Sequence, residues 1–245
     1  MMWAVYANRK FRMTDFYLLG LIILFLNPLN TYAQFARVIA PQHPLALRSN
    51  PSDTAAIITQ LTHHQLVIID SPDSSAWQWI ADPTATYFGY APAVQLQTLT
   101  DLPAFKISEL KENRLQFTHQ AMRLVITTER LHNPMNNPDF GSITQDGYTY
   151  VSTYRSKPFW GTDGDYPNSC YTQIEIYRHK KRFAVPASLI SGLFNPNLQH
   201  TQVRYDEKND IVYLYFINSD GAGGYVGAFV FQNDKWRVGY LGNPF

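Results

Sequence analysis

Short apolar runs separated by turn-forming residues recur over residues 36–99. Residues 66–70 (LVIID) begin with consecutive apolar side chains, which is typical of a buried strand. The clusters 49–53 (SNPSD) and 71–75 (SPDSS) predict turns, because Ser, Asn, Asp and Pro favour them. The remaining candidate strands are 37–40, 45–48, 56–61, 77–80 and 88–91. Such a set of short strands without a helix predicts a small closed barrel.

The second segment, residues 104–245, is again rich in strand patterns, and residues 98–103 (TLTDLP) predict a linker before it. Residues 211–217 (IVYLYFI) are apolar throughout, so we expect a central strand covered on both faces. Asp146 and Gly147 predict a tight hairpin turn. The other candidate elements are strands at 114–117, 122–128, 148–154, 171–178, 202–206, 225–231 and 235–240 and a short helix from Pro186. The pattern predicts a mostly β protein: a small barrel, then an antiparallel β-rich (α+β) domain.

Three features of the first segment occur in a distinctive order: residues 45–52 (LALRSNPS), Trp77 after a hairpin loop, and residues 88–91 (FGYA) followed by Leu96. In this order the segment 34–99 resembles the bacterial SH3-like domain family. The resemblance implies an SH3-like barrel that targets an exported protein to cell-wall material or binds a peptide. A shared fold does not fix a ligand.

The sequence departs from the family pattern at its turns. Ala46 stands where the family has asparagine, and Asn50 stands where it has glycine. Asn also tolerates a positive φ, so the turn at Asn50 can form. His64 or Gln65 replaces the glycine before the next strand. These changes affect turns and leave the expected fold intact, but they weaken the transfer of any particular ligand preference.

Four aromatic residues of the first segment are candidate ligand-binding residues, because aromatic side chains supply rigid contact area. They are Trp77, Trp79, Tyr87 and Tyr90. Trp77 and Trp79 lie two residues apart and share one face of a strand. Either they line a binding groove or they fill the barrel, and the pattern favours packing in the core for this pair.

The N-terminus has the three parts of a secretory signal in order. Basic residues in 8–12 (NRKFR) precede an apolar run, 16–26, which is too short to span a bilayer core of about 20 residues. A polar, helix-breaking stretch then ends at Ala33, which predicts cleavage before Gln34. Residues 1–33 are thus interpreted as a signal peptide and the protein as periplasmic or secreted; an uncleaved anchor is the alternative.

Composition and charge restrict the possible partners. Hydrophobic residues make up 45% of the chain, which suffices for a core, and the formal net charge is +1. Three basic residues and one acidic residue give residues 1–33 a charge of +2, which leaves −1 for the remainder. A near-neutral mature chain argues against nucleic acid and against docking on anionic lipid. We therefore expect membrane contact only through the signal segment.

The loop 159–168 (FWGTDGDYPN) is the best candidate for a binding loop in the second segment, because it is polar and flanked by aromatic residues. Asp163 and Asp165 are its candidate ligand-binding residues. Together with Asn168 they could hold calcium, but the loop lacks the twelve-residue calcium pattern. We therefore predict no metal site there.

Two other features have structural interpretations. The segment 218–225 (NSDGAGGY) resembles a strand-linking loop of small exported bacterial β-rich domains of uncharacterised function. Its glycines could bind an anion, but a strand follows instead of a helix and the Lys-Ser/Thr of a phosphate loop is missing, so a structural turn is favoured. His63 and His64 lack a third ligand at recognisable spacing and are interpreted as solvated loop residues.

Motifs of common hydrolases are absent from the sequence. Neither His-Glu-x-x-His nor Gly-x-Ser-x-Gly occurs, and the single cysteine, Cys170, lacks the Asp-Cys-Ser-Gly setting of NlpC-type cell-wall peptidases. His179 and His200 follow Cys170, so a pair is conceivable, but an inert buried thiol is the better interpretation. Nothing in the sequence brings Asp220 and the other carboxylates together.

These observations predict a non-enzymatic binding protein of the cell envelope without a cofactor. Its expected partner is peptidoglycan or a protein or peptide of the envelope. One alternative is a cell-wall hydrolase with an unfamiliar site around Asp163, Asp165 and Cys170. The other is a periplasmic inhibitor or immunity protein that binds one target through a loop.

Overall fold

Antiparallel strands form most of the protein. A computed structural model describes residues 34–40, 44–70, 74–84 and 86–243, so the predicted signal peptide and Ala33 lie outside the described residues. Strands account for 56% of the structure and helix for 9%, which confirms the mostly β class. Within the described ranges, no helix is both long and apolar enough to cross a membrane.

The first sheet contains seven strands and curls around a core of its own. Its strands are β1 (Gln34–Val38), β2 (Leu45–Arg48), β3 (Ile57–Leu61), β4 (Leu66–Ile69), β5 (Trp77–Ala81), β6 (Phe88–Pro92) and β7 (Leu96–Thr98). They are ordered β3-β2-β6-β5-β4-β1-β7, and among the described residues no ladder joins the edge strands β3 and β7. Backbone pairing therefore does not close the sheet into the barrel that the sequence predicts. The inner core includes Leu47, Val67 and Ile80.

The second sheet has five strands, ordered β14-β13-β10-β9-β8. The elements of this region are β8 (Lys106–Lys111), β9 (Arg114–His119), β10 (Met122–Arg130), β11 (Phe140–Gln145), β12 (Tyr148–Tyr154), β13 (Ser169–Arg178), β14 (Lys181–Ala184) and a one-turn α-helix (Ala187–Ile190). β11 and β12 form a separate hairpin, and positive φ angles of 52° at Asp146 and 81° at Gly147 confirm its predicted turn.

The third sheet is a four-stranded meander that lies between the other two. Its strands pair in chain order: β15 (Thr201–Asp206), β16 (Ile211–Asn218), β17 (Tyr225–Gln232) and β18 (Lys235–Gly242). Tyr213 and Tyr215 of β16 pack toward the first sheet, whereas Leu214 and Phe216 pack toward the five-stranded sheet. The prediction that this strand is central and covered on both faces is confirmed.

The first sheet and the meander share a hydrophobic core. Phe35, Leu66 and Ile68 of the first sheet pack in one cluster with Tyr213 and Tyr240 of the meander. The segment 98–103, predicted to be a linker, adds its two leucines to the same cluster, and both are buried.

A buried ion pair between Arg37 of β1 and Asp206 of β15 crosses this boundary. Burial alone would raise the pKa of Asp206, but hydrogen bonds from Asn209 and Arg37 outweigh it and hold that pKa below its ordinary value. His64 Nδ1 lies 3.3 Å from a guanidinium nitrogen of Arg37. Burial, and then the charges of His63 and Arg37, lower the pKa of His64. The expectation of a solvated pair is therefore wrong for His64, which is half-buried.

Candidate functional site

The hairpin of β5 and β6 presents aromatic side chains on one face. Trp79 lies directly opposite Tyr90 in the ladder, with ring centroids 4.9 Å apart at an interplanar angle of 67°. Trp77 lies two residues before Trp79 on the same face, and Phe88 lies two residues before Tyr90. With Tyr87, which precedes β6, these residues form what we call the aromatic face.

The aromatic face points away from the inner core of the first sheet. Trp79 is 38% exposed, Phe88 39% and Tyr87 46%. The opposite face of β5 carries Gln78 and Ile80, which are buried. Trp77 and Trp79 do share a face, as predicted, but the expectation of core packing is wrong for Trp79, because the inward positions of β5 belong to other residues.

The aromatic face continues into a part of the same sheet face that the meander covers. Ala81 continues the face beyond Trp79, and it packs with Phe35 and Ile68 in the core that the meander covers. The meander covers this part, whereas Trp79 and Phe88 remain exposed. The aromatic face is thus the uncovered end of a surface whose other end is already a packed interface.

Asp82 supports the aromatic face by holding the segment that leads into β6. Its buried carboxylate accepts hydrogen bonds from the backbone N–H groups of Thr86 at 2.7 Å and Tyr87 at 2.8 Å. It also accepts a hydrogen bond from the Thr84 hydroxyl at 2.7 Å. These bonds fix the approach to β6 and therefore the position of Tyr87.

A second site lies where the predicted binding loop meets the end of the five-stranded sheet. Asn195, at φ 48°, joins the walls of this site. Its side chain donates to Gly161 O at 2.7 Å and accepts from the backbone N–H groups of Asn168 at 2.9 Å and Ser169 at 3.2 Å. Ser219 completes the arrangement by donating from its hydroxyl to Gly161 O at 2.9 Å. The loops around the site are therefore held together by side chains that sequence spacing does not connect.

Two adjoining cavities at this site form what we call the cleft. The smaller has a volume of about 340 Å³ and is lined by Asp163, Asp165 and Asp220. The larger has a volume of about 810 Å³ and extends to the β8–β9 turn. Both are lined by Asn168, Asn195, Ser219 and Asp220. The structure thus brings together three carboxylates that the sequence could not place.

The glycine-rich segment 218–225 has the structural role that the sequence favours. A Cβ added at Gly223 would come within 2.9 Å of the Thr162 backbone, so this position requires glycine for close packing. Buried Asn218 donates to the hydroxyls of Tyr171 at 2.8 Å and Tyr225 at 2.9 Å. The segment therefore anchors one wall of the cleft.

Cys170 lies apart from the three aspartates. It lines a different cavity of about 460 Å³, whose lining contains no histidine, and its Sγ is 3.7 Å from Glu129 Oε1. Burial, reinforced by the Glu129 carboxylate, raises the pKa of the Cys170 thiol to about 11. The thiol is therefore protonated near neutral pH, which does not suit a nucleophile. The hypothetical site that combines Asp163, Asp165 and Cys170 is not formed.

Metal-ligand geometry is also not formed in the described ranges. No group of three or more His, Cys, Asp and Glu side chains there is arranged to hold a metal ion. His63 and His64 have ring centroids 3.7 Å apart, and the second histidine faces Arg37, which is a poor setting for a cation.

Comparison with known proteins gives no relative. No protein-family model matches the chain, and neither a curated protein nor a solved structure is significantly similar to it. Its function must therefore be inferred from the aromatic face and the cleft.

Proposed function

We propose that the protein is a non-enzymatic binding protein of the cell envelope, periplasmic or secreted, which holds peptidoglycan or an envelope protein on the aromatic face. The exposure of Trp79, Tyr87 and Phe88 beside Tyr90 carries this proposal. The N-terminal segment with the pattern of a signal peptide and the resemblance of residues 34–99 to bacterial SH3-like domains support it.

The aromatic face has the properties of a binding surface. Large aromatic side chains gain much contact energy for little conformational entropy, and they are enriched among the residues that dominate binding. Arg48 pairs with Tyr90 in the adjoining ladder, but its guanidinium donates to Ala55 O at 2.7 Å and is thereby held by the loop before β3. A mainly apolar surface suits a partner that offers apolar contact area and few charges of its own.

Cosedimentation tests this function. The purified chain is mixed with purified peptidoglycan and, separately, crosslinked to envelope extract. We expect binding in at least one arm, and we expect Trp79→Ala together with Tyr90→Ala to weaken it roughly tenfold or more, because paired aromatic contacts are removed. Tyr148→Ala is the matched control, since that tyrosine is 69% exposed on a different hairpin.

Two results would contradict the proposal. The first is a chain that stays soluble with every envelope fraction and captures nothing on crosslinking. The second is release of soluble fragments from peptidoglycan, because a hydrolase cleaves its ligand. Equal losses of binding in the double variant and in Tyr148→Ala would show that the aromatic face does not hold the partner.

A further inference from the structure

We propose that the cleft is a second binding site and that its ligand is a segment of an oligosaccharide chain. Its combined lining joins hydrogen-bonding side chains with the apolar surfaces of Leu110 and Pro196. Sugar rings combine hydroxyl groups at their edges with apolar C–H faces. The larger cavity, about 810 Å³, lies within the range of small-molecule sites, about 300–1,000 Å³.

The cleft contains hydrogen-bonding groups that the protein itself does not use. In the part of the chain that the structure describes, these side chains have no hydrogen-bond or ion-pair partner: Asn168, Ser169, Gln199, Asp163, Asp165 and Asp220. The amides and the hydroxyl donate and accept, whereas the carboxylates only accept. Such a mixture complements hydroxyl groups, which also donate and accept.

The arrangement of the carboxylates favours a hydroxyl-rich ligand over a metal ion. Asp163, Asp165 and Asp220 are exposed and line one cavity, yet they do not form a metal-binding group among the described residues. They therefore serve as acceptors in one lining without the convergence that a metal ion requires. An extended ligand with several hydroxyl groups can use acceptors that a single ion cannot reach together.

The walls of the cleft are held in place before any ligand arrives. The Asn195 side chain ties Gly161 to residues 168–169, and buried Asn218 accepts a hydrogen bond from the Asn197 backbone at 2.8 Å. Tyr150 packs against Gly164, in the loop of one wall, where an added Cβ would lie 2.7 Å from the ring. A preformed site loses less entropy on binding than a flexible one.

Calorimetric titration of the full chain tests the site with three probes: chitotetraose, maltotetraose and spermidine. We expect at least one of the two saccharides to bind and its affinity to be nearly independent of salt. Asn168→Ala and Gln199→Ala should each weaken binding roughly tenfold, the equivalent of about 1.4 kcal/mol for a lost hydrogen bond. Their side chains have no internal partner, so both variants should unfold at the wild-type temperature.

Further variants separate this proposal from its rivals. Asp165→Asn keeps an acceptor and should change saccharide affinity less than about threefold. Gln60→Ala, on the first sheet and outside both sites, should leave saccharide affinity unchanged. A loss of affinity in Trp79→Ala instead of in Asn168→Ala would place the saccharide on the aromatic face and would overturn the inference. The inference is overturned if neither saccharide binds the folded chain, or if Asn168→Ala and Gln199→Ala bind like wild type. Salt-sensitive binding of spermidine that Asp165→Asn abolishes would overturn it in favour of a cationic ligand.

Discussion

Asn218 illustrates how single side chains hold the loops of this protein. It is fully buried at the end of β16, and its carboxamide uses both donor and acceptor groups. It donates to the hydroxyls of Tyr171 and Tyr225 and accepts from the backbone of Asn197. The hydroxyl of Tyr225 in turn donates to Phe194 O at 3.0 Å. One amide therefore joins the meander to β13 and to the segment at Asn197 that lines the cleft.

Replacement of this amide should be costly. Asn218→Ala removes three hydrogen bonds and leaves the buried Tyr171 hydroxyl and the Asn197 N–H without a partner, so we expect the free energy of unfolding to fall by about 2–4 kcal/mol. Urea denaturation measures this loss. Asn113→Ala, in the exposed turn between β8 and β9, is the control and should be close to neutral. A loss below about 0.5 kcal/mol for Asn218→Ala would show that water replaces the amide.

Strand pairing around the aromatic face depends on one close approach. A Cβ at Gly89 would lie 2.6 Å from Arg48 O and 3.0 Å from Leu47 Cγ, so β2 and β6 can approach only with glycine there. The glycine–aromatic pair that supports the SH3-like resemblance has this physical reason. β6, which carries Tyr90, is thus positioned by Gly89, the residue before that tyrosine.

Gly89→Ala should therefore disturb the first sheet. We expect a loss of about 1–3 kcal/mol from overpacking, with weaker binding at the aromatic face as β6 shifts. Gly147→Ala is the comparison: its added Cβ meets no atom within 4 Å, and its φ of 81° costs about 1 kcal/mol in the separate hairpin. Thermal unfolding and cosedimentation measure both. Unchanged stability of Gly89→Ala would mean that the strands move apart freely.

The elements that sequence patterns predict well are those buried on both faces. β4 and β16 appear as continuous apolar runs, and both are found. β8 (KISELK) and β14 (KRFA) were not predicted, because each is a sheet edge with charged and largely exposed residues. β11 was missed for a similar reason, since most of its residues are exposed. Whether such a segment forms an edge strand depends on the strand with which it pairs, and the local sequence does not identify that strand.

At the scale of the whole molecule, the three larger sheets of the described residues lie in layers, and the layering decides which surfaces remain exposed. Alternation in the sequence places Trp77 and Trp79 on one face, but it does not say that the meander covers only Ala81 and its neighbours. The cleft was still harder to predict, because Asn195 reaches its partners across 26 to 34 residues. No local pattern marks such contacts.

His64 and Asp206, which both contact Arg37 at the boundary between the first sheet and the meander, should make global stability depend on pH. The pKa of His64 is lowered in the folded chain, so the unfolded chain binds more protons just below pH 6.5, and stability should fall as pH decreases through that window. The depressed pKa of Asp206 adds a further loss only at pH values below about 4. Urea midpoints measured from about pH 7 to about pH 5 test this dependence.

His64→Gln should reduce this pH dependence, because the proton-binding difference at that position disappears. His200→Gln, in an exposed position, is the matched control and should retain the wild-type slope. Identical slopes in all three proteins would exclude His64 as a cause. A stability that rises as the pH decreases would contradict the direction of its pKa shift.

The double coverage of β16 has a cost before folding is complete. Residues 211–217 contain no charge, glycine or proline, and aromatic and branched side chains dominate them. In the native protein, β15 and β17 pair with its edges and two cores cover its faces. In an unfolded chain the same residues form a short, uncharged segment of high strand propensity, the kind that stacks into intermolecular aggregates. The interior strand that organises the molecule is thus also a liability for self-association, and a chaperone that binds the unfolded chain would need to cover this segment.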